Sequence, residues 1–582
     1  MKINKIFYLV FALSCALAIA FGYYAKNLAD AKGVSIIVNQ VGYSLKSPKS
    51  AFLLNSWNFF NNKVQIIEVA SKINVFDAPV GDRKSDKFTN NSTQIIDFSS
   101  LNKEGSFYLK YGKVQSSPFT ISKNIYQDAL NKLLRSYYLQ RCGVEVRDTV
   151  SGVSHPPCHI RDGLIAHSDV FNKAGKSIRS QGGWHDAGDF GKYVSPTAVT
   201  IGRLLNVYEQ YPKLFRDSQL NIPESGNGKP DLLDEVKVGL DWMLAMQRED
   251  GAVYRKLSGK NWPGTILPNE DKQPRFVYGI STSETAKFAA AMAMSARIYA
   301  PVDAKLAENY LKAAQKSWQF LQKEPALKVD WVDGDDNGSG KYLYTEGDYD
   351  PDGSLKTDKD DRLWAAAELF ITTSDPAFEQ YFAENLPTFS YTLFGWADPS
   401  SLGMIDYLIQ PKGKGSDNLK EVIKEKLLKR VEFLMSKVYE SSYRLANDTF
   451  IWGSNKITAE EGITLFYAYR VTGNEEYFKA AVDQVDYLLG RNHLNKSFIT
   501  AVGTNSVQNV HHRIAQAKKI VIPGLMVGGP NSQAQDGIAP KNLGPLSYAD
   551  DARSYATNEY AINYNASAIG LMGMVMGEVG NR

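Results

Sequence analysis

The feature that most restricts the fold of this chain is a change of period. From about Asn124 onward, apolar residues recur at helical spacing in one segment after another. YQDALNKLLRSYYLQR, PDLLDEVKVGLDWMLAMQ, SETAKFAAAMAMSARIYA, AENYLKAAQKSWQFLQ and DRLWAAAELFITT carry the i, i+3, i+4 pattern of amphipathic helices. LKEVIKEKLLKRVEFLMSKVY, AEEGITLFYAYRV, EEYFKAAVDQVDYLLG and the final INYNASAIGLMGMVM do the same. With other segments this makes about a dozen helices. The loops between them are long and rich in Gly and Asp, and compact domains rarely keep such loops unless they serve a function. Paired helices over this length fit a toroid with its loops gathered at one end, although a generic helical bundle would share the pattern.

Residues 34–122 have a different period. VSIIVNQ, SAFLLN, KVQIIEV, TQIIDF, GSFYLKY and SPFTIS are short alternating runs separated by Gly, Pro, Asn, Asp and Ser. About seven strands in so short a stretch predict a small β-sandwich of immunoglobulin type, without the Cys…Trp…Cys core of antibody domains. No Pro/Ser-rich linker precedes the helical region at 124–579, so the two domains are expected to pack directly. The 582 residues are 43% hydrophobic and 22% charged, which excludes a disordered chain. Lys and Arg total 66 against 63 Asp and Glu, a balance that gives no argument for nucleic acid or an anionic membrane as partner. Aromatic residues reach 12%, which suits either core or platforms for flat ligands such as sugar rings, and composition does not choose between them.

The N-terminus reads as an address. Lys2 and Lys5 precede the apolar run Ile6–Phe21, and Ala18-Ile19-Ala20 supplies an A-x-A site. Residues 1–20 therefore look like a secretory signal peptide, which implies a secreted or periplasmic protein with no stable membrane insertion after cleavage. A retained anchor helix has the same pattern. Cys15 lacks a good lipobox before it. Only Cys142 and Cys158 would remain, too few for a disulfide scaffold.

Two loops hold candidate chemistry. Gly182-Gly183-Trp184-His185-Asp186-Ala187-Gly188-Asp189 sets two carboxylates three residues apart among glycines. Such a pair can hold a water and deprotonate it, and the same spacing also suits an Asx-turn loop. Near the C-terminus, Tyr548-Ala549-Asp550-Asp551 leads through Tyr555 to Glu559, which is expected to open the last apolar helix. An acid in that position is favoured by the helix dipole, which would lower its pKa. A general acid needs the opposite, so burial among Tyr555, Tyr560 and Tyr564 would have to prevail.

These motifs carry a resemblance. GGWHDAGD, then SFITAVGTN (497–505) running on to Val510-His511-His512-Arg513, then Tyr548-x-Asp550-x4-Tyr555-x3-Glu559-x-Ala561-x3-Asn565-Ala566, resemble glycoside hydrolase family 9, the cellulase family. GNGKPDLLDEV (226–236), WGSN (452–455), YLLGRN (487–492) and PGLMVGGPN (523–531) are similar to it too. VNQVGY (38–43) is similar to the immunoglobulin-like domain that precedes many members. The resemblance implies an (α/α)6 barrel behind the sandwich and inverting cleavage of β-1,4-glucans. It makes Asp189 the general base, Asp186 a holder of the water and Glu559 the general acid. It places His511 and Arg513 on the sugar at the cleavage point, with Tyr564 beside them on the next turn of the Glu559 helix and Asp550 supporting the acid or a neighbouring sugar.

It also implies metals, and no organic cofactor. Cys142, Cys158, His159 and His185 are a two-sulfur, two-nitrogen set suited to structural zinc, like a site in sandwich-bearing members; a Cys142–Cys158 disulfide is the alternative. Asp360, Asp361 and Asp398 match a family calcium site, completed by backbone oxygens near Lys356 and Thr357. Asp333 to Gly338 copies half an EF-hand loop, but its twelfth position is Tyr344, so an acidic surface loop is the better account. Trp242, Trp318 and Trp364 lie at core spacing, whereas Trp184, Trp331 and Trp452 sit on loops and suit stacking on sugar. Asp231, Asp234 and Glu235 read as a charged helix start, and 421–430 as a solvated helix face. The expected activity is that of an endoglucanase acting on β-glucan poly- or oligosaccharides. An exo-acting relative (a glucosidase, cellobiohydrolase or exo-β-glucosaminidase) and a non-catalytic glycan-binding protein are the rivals.

Overall fold

The computed structural model describes residues 33–55, 62–332, 334–335 and 357–582. Residues 1–20, expected to be a signal peptide, Asp333 and the rest of the half EF-hand loop after Asp335 lie outside them.

The N-terminal domain is a sandwich of nine strands among the described residues: β1 (Ser35–Ile37), β2 (Gly42–Ser44), β3 (Ser50–Leu54), β4 (Lys63–Glu68), β5 (Asn74–Ser85), β6 (Ser92–Asp97), β7 (Gly105–Tyr111), β8 (Val114–Gln115) and β9 (Phe119–Ser122). They follow the order β1-β3-β6-β5-β4-β7-β9-β2, with β8 beside β7. Strand β5 belongs to both layers. Its first half pairs with β4 and its second with β6, across an irregularity between Val80 and Arg83 that turns the chain from one sheet to the other. Inward residues of both layers, among them Tyr43, Phe98, Phe107 and Phe119, form one core.

The second domain pairs helices in two rings. The inner ring is α2 (Val194–Gln210), α4 (Thr282–Tyr299), α6 (Lys359–Thr373), α8 (Ser400–Leu408), α10 (Ser454–Thr472) and α14 (Ile562–Asn581). The outer ring is α1 (Gln127–Leu139), α3 (Asp231–Ala245), α5 (Ala304–Lys323), α7 (Pro376–Asn385), α9 (Asp417–Glu440) and α11 (Glu475–Leu488). Along the inner ring α10, α14, α2, α4, α6 and α8 pack in succession, each also on an outer partner, and α4 and α14 are buried almost all round. Outer helices are amphipathic: α5 turns Tyr310, Trp318 and Leu321 inward and its lysines outward. Short helices α12 (Arg513–Lys518) and α13 (Tyr555–Asn558) lie in the long loops. This is an (α/α)6 barrel. No described helix is long and apolar enough to cross a membrane.

The sandwich meets the barrel through buried polar contacts. Asn39 Nδ2 donates to Asp486 Oδ1 at 2.8 Å and to Tyr126 Oη at 3.2 Å. Gln40 Nε2 donates to Asn495 O at 2.8 Å, and its oxygen accepts from Asn505 N at 2.8 Å. Asp86 accepts from Ser442 Oγ at 2.7 Å, beside His493.

Several expected roles change. Trp184 is on a loop, yet it is 1% exposed, with its ring 5.1 Å from that of Tyr137 and against Gly239, so it is core and no sugar platform. Glu235 does more than charge a helix start: it is buried and takes Arg141 Nε at 2.6 Å. Asp335 is not on an acidic surface loop; it is buried and accepts from Arg255, with His167 Nε2 at 2.6 Å.

Candidate active site

Candidate site residues come from three loops at the end of the barrel where the inner helices begin. The first loop precedes α2. Asp186 N donates to Gly191 O, and Gly191 N donates back to Asp189 Oδ1, each at 2.9 Å. That is the Asx-turn geometry, so the structural reading of this loop is partly right. It uses only one oxygen of Asp189, and Asp186 Oδ1 is buried with no partner among the described residues. Burial pushes the Asp186 carboxyl well up, and the charge of Asp189 adds to it. Asp189 is also raised by burial, with the Gly191 N–H and Arg513 working against the shift.

The third loop carries Glu559. Contrary to the expectation from its apolar run, Glu559 does not open the last helix. Its backbone is extended at φ −80°, ψ 141°, and α14 starts at Ile562. The segment is strapped between its neighbours: Gly528 N donates to Glu559 O at 2.8 Å, Tyr560 pairs with Val527, and Ile562 N donates to Asp186 O at 2.8 Å. Tyr564 lies in the first turn of α14, and so is not on a shared helix with Glu559. The tension over the pKa of Glu559 resolves upward. Burial first, then Asp189 and Asp186, push it up to about 8, against the opposing charge of Arg513.

The second loop runs between them. His511 forms an isolated parallel bridge with Glu559, its N–H donating to Asn558 O at 2.9 Å, and Arg513 N donates to Gly188 O at 2.9 Å. His511 Nδ1 contacts Ala552 O at 2.7 Å, which fixes Nδ1 as the protonated nitrogen and leaves Nε2 to accept from Arg513 Nη1 at 2.8 Å. Tyr555, 40% exposed, lies 5.8 Å from Trp452 and 6.0 Å from His511 between ring centres. Asp550 braces the loops. It accepts from Gln508 N, Asn509 N and Lys496 Nζ, and its Oδ1 lies 3.4 Å from Asn558 Nδ2, next to Glu559. Sequence reasoning missed Trp262. It is 50% exposed, and the adjoining Pro263 carbonyl accepts from Arg513 Nε at 3.0 Å. The signal was present, since Trp262 is loop-borne like Trp331, but it stands far in sequence from any carboxylate motif.

Residues 126–572 match the family model described as glycosyl hydrolase family 9, and residues 31–116 match the cellulase N-terminal ig-like domain. The chain belongs to glycosyl hydrolase family 9. It is 36% identical to endoglucanase D of Acetivibrio thermocellus, over 83% of this chain and 75% of that protein. It is 31% identical to the xyloglucan-specific endo-beta-1,4-glucanase BoGH9A of Bacteroides ovatus, over 90% of this chain and 93% of that one. A metagenome-derived family 9 endoglucanase of known crystal structure superposes with a TM-score of 0.88 at 40% identity, covering 94% of this chain and all of the other.

One cluster in this family 9 chain has the donor set for a metal. Ligand atoms of Cys142, Cys158, His159 and His185 all lie within 4.8 Å of one another, and neither cysteine is in a disulfide. His159 Nδ1 is 3.6 Å from Cys142 Sγ and 3.3 Å from His185 Nε2, which is 3.9 Å from Cys158 Sγ. Tetrahedral zinc with its usual bond lengths spaces sulfur from nitrogen by about 3.6 Å and nitrogen from nitrogen by about 3.4 Å. The residues fit the ion. His159 Nε2 faces Asp271 Oδ2 at 3.6 Å, the carboxylate that would fix its ring.

The calcium set fits less well. Asp360, Asp361 and Asp398 are not gathered as a metal cluster among the described residues. Asp361 is already neutralised by buried Lys287 at 2.5 Å and accepts from Ser283 Oγ. Asp398 takes Thr392 Oγ1 and Ser400 Oγ. Only Asp360 keeps both oxygens buried and without a partner. Lys356 lies outside the described residues.

Proposed function

We propose that this chain is an exported, inverting endo-β-1,4-glucanase. The observation that carries the mechanism is the placing of a carboxyl with a strongly raised pKa, Glu559, across from the loop of Asp186 and Asp189. Glu559 is pushed to about 8 and so stays protonated at neutral pH, as a general acid must, beside two aspartates on the facing loop. Glu559 gives its proton to the glycosidic oxygen as the bond breaks. Asp189 removes a proton from water on the opposite face of the sugar, and Asp186 orients that water through its unspent oxygen. Inversion follows, because this water attacks directly while the other carboxyl group serves the leaving group. His511 and Arg513, locked to each other, bind the sugar at the cleavage point, with Tyr564 beside them, while Trp452 and Tyr555 offer ring faces for the neighbouring units.

Zinc at Cys142, Cys158, His159 and His185 has a structural role. All four positions are protein ligands, and the ion would anchor the residue next to Asp186. Calcium would be held by Asp360 with Asp398, while Asp361 remains with Lys287. Export rests on the N-terminal Lys2/Lys5, apolar run and A-x-A order.

The test follows products from carboxymethyl-cellulose and from cellohexaose. The reading expects viscosity to fall well before reducing ends accumulate, and the first-formed sugar to be the α-anomer by proton NMR. A steady release of one small sugar with viscosity unchanged would make the enzyme exo-acting, and β-anomer product would remove the inverting assignment.

A further inference from the structure

One side chain of the sandwich reaches the base of a catalytic loop. Gln40 lies between β1 and β2 and is 5% exposed. Its backbone N donates to Leu489 O at 2.9 Å, just past the end of α11, where the loop leading to His511 begins. Its side chain fills a slot between two glycines. A β-carbon at Gly490 would stand 2.5 Å from Gln40 Nε2, and one at Gly503 would stand 2.9 Å from Gln40 Oε1. At the end of the slot the amide holds both limbs of one turn. Nε2 donates to Asn495 O and Oε1 accepts from Asn505 N, each at 2.8 Å.

That turn is the footing of the loop that carries His511 and Arg513. Ser497 N donates to Asn505 O at 3.0 Å, and Val507 N donates to Ser497 O at 3.1 Å, so the limbs stay tied as far as Val507. There Asp550 takes over. It accepts from Lys496 Nζ at 3.1 Å, beside the residue that Gln40 holds, and from Asn509 N at 2.8 Å. Asn558 Nδ2 then donates to Asn509 O, and His511 N donates to Asn558 O at 2.9 Å, one residue before Glu559. Gln40 and Asp550 therefore grip the same turn from two sides. An amide suits the first grip because it presents a donor and an acceptor together and can fix two limbs at once. Its neighbour Asn39 serves Asp486, Tyr126 and its own turn, and touches no part of this loop.

We propose that Gln40 is a positioning residue of the active site, through which the sandwich sets the place of the loop that holds His511 against the Glu559 segment. The parts given to His511, Arg513 and Glu559 rest on the function proposed above; the bracing of the loop rests on the contacts alone.

The test compares three variants of the full chain. Gln40→Met keeps the length of the side chain and makes neither hydrogen bond, Gln40→Ala empties the slot, and Asn39→Ala disturbs docking only. Backbone hydrogen exchange over residues 495–513 is measured with kcat, KM and the pH profile on cellohexaose, at a temperature well below every thermal midpoint. Both Gln40 variants should exchange about tenfold faster at 505–511 and lose about tenfold in kcat, with a smaller change in KM. The alkaline limb of their profile should move to lower pH, because a loosened loop lets water reach Glu559, whose pKa is raised first by burial. Asn39→Ala should lower the thermal midpoint and leave kcat and the alkaline limb where the parent has them. Parent-like exchange in Gln40→Met, parent-like kcat and alkaline limb in spite of a lowered midpoint, or an equal kinetic loss in Asn39→Ala would overturn the positioning role. A parent chain that cleaves no glucan would instead overturn the function assigned to the cleft, and the exchange result would still decide the bracing.

Discussion

Gly188 leaves no room between itself and Glu559. A β-carbon at Gly188 would stand 3.0 Å from Glu559 Oε1 and 2.3 Å from His511 O. The loop carrying Asp186 and Asp189 can therefore lie against the Glu559 segment only because this residue has no side chain. Gly188→Ala should force the two carboxyl loops apart. We expect kcat to fall about 100-fold or more, the cost of displacing catalytic groups by about 1 Å, with a much smaller change in thermal midpoint. Paired kinetics and thermal melts check this, and an active Gly188→Ala enzyme would show that the loops tolerate separation.

The pH profile should be bell-shaped, and its two sides have different owners. Glu559 must be protonated, so activity should decline as pH rises through about 8. Asp189 must be ionised, and because burial raises its pKa, the acid side should fall at a higher pH than an ordinary aspartate would give. The same shifts have a cost in stability. A carboxyl whose folded pKa is raised binds its proton more tightly folded than unfolded, so its contribution is complete below the unfolded pKa and is lost as pH rises through the folded pKa. Glu559→Gln should thus be inactive on unactivated glycosides, yet more stable than the parent at pH 9. A profile flat from pH 6 to 10 would remove Glu559 as the acid.

Much of this site was legible because its residues come in long motifs. Two aspartates among glycines and a glutamate ahead of an apolar helix state their chemistry locally. What was misread depends on contacts distant in sequence. Glu559 reads as helical because INYNASAIG has a helical period, but the pairing of Tyr560 with Val527 keeps the chain extended up to Ile562. Trp184 reads as a platform because glycines flank it, while its ring fills a space that Gly239 of α3 leaves open. Strand β5 was unreadable because NVFDAPVGDRKS switches sheets midway and so loses its alternation. The partner of Asp361 was not legible either, because Lys287 comes from another helix.

Asn39 should govern how the sandwich docks. It is fully buried, and its side chain serves Asp486, Tyr126 and the backbone of Val41 and Gly42. Asn39→Ala would leave several of these groups dry and unpaired, at about 1–3 kcal/mol for each buried loss. We expect a fall in unfolding free energy of about 3 kcal/mol by urea titration, with KM little changed because no catalytic loop rests on Asn39 itself. A change below about 0.5 kcal/mol would mean that water enters the interface and replaces the amide.

Metal removal tests the cluster below the catalytic loop. His185 precedes Asp186 and Cys142 N bonds to Gly183 O, so an ion on Cys142, Cys158, His159 and His185 would pin the N-terminal end of the loop. One zinc per chain is expected by elemental analysis. Its loss to a strong chelator should lower the thermal midpoint, since an ion bound only by the folded state stabilises it by mass action. Activity should fall less than stability, because no ligand position is open to substrate. Cys142→Ser should contain no zinc and melt like the chelated parent. If the parent instead holds no metal and shows no titratable thiol until reduced, the two cysteines form a disulfide, and the tetrahedral spacing of the four side chains has another cause.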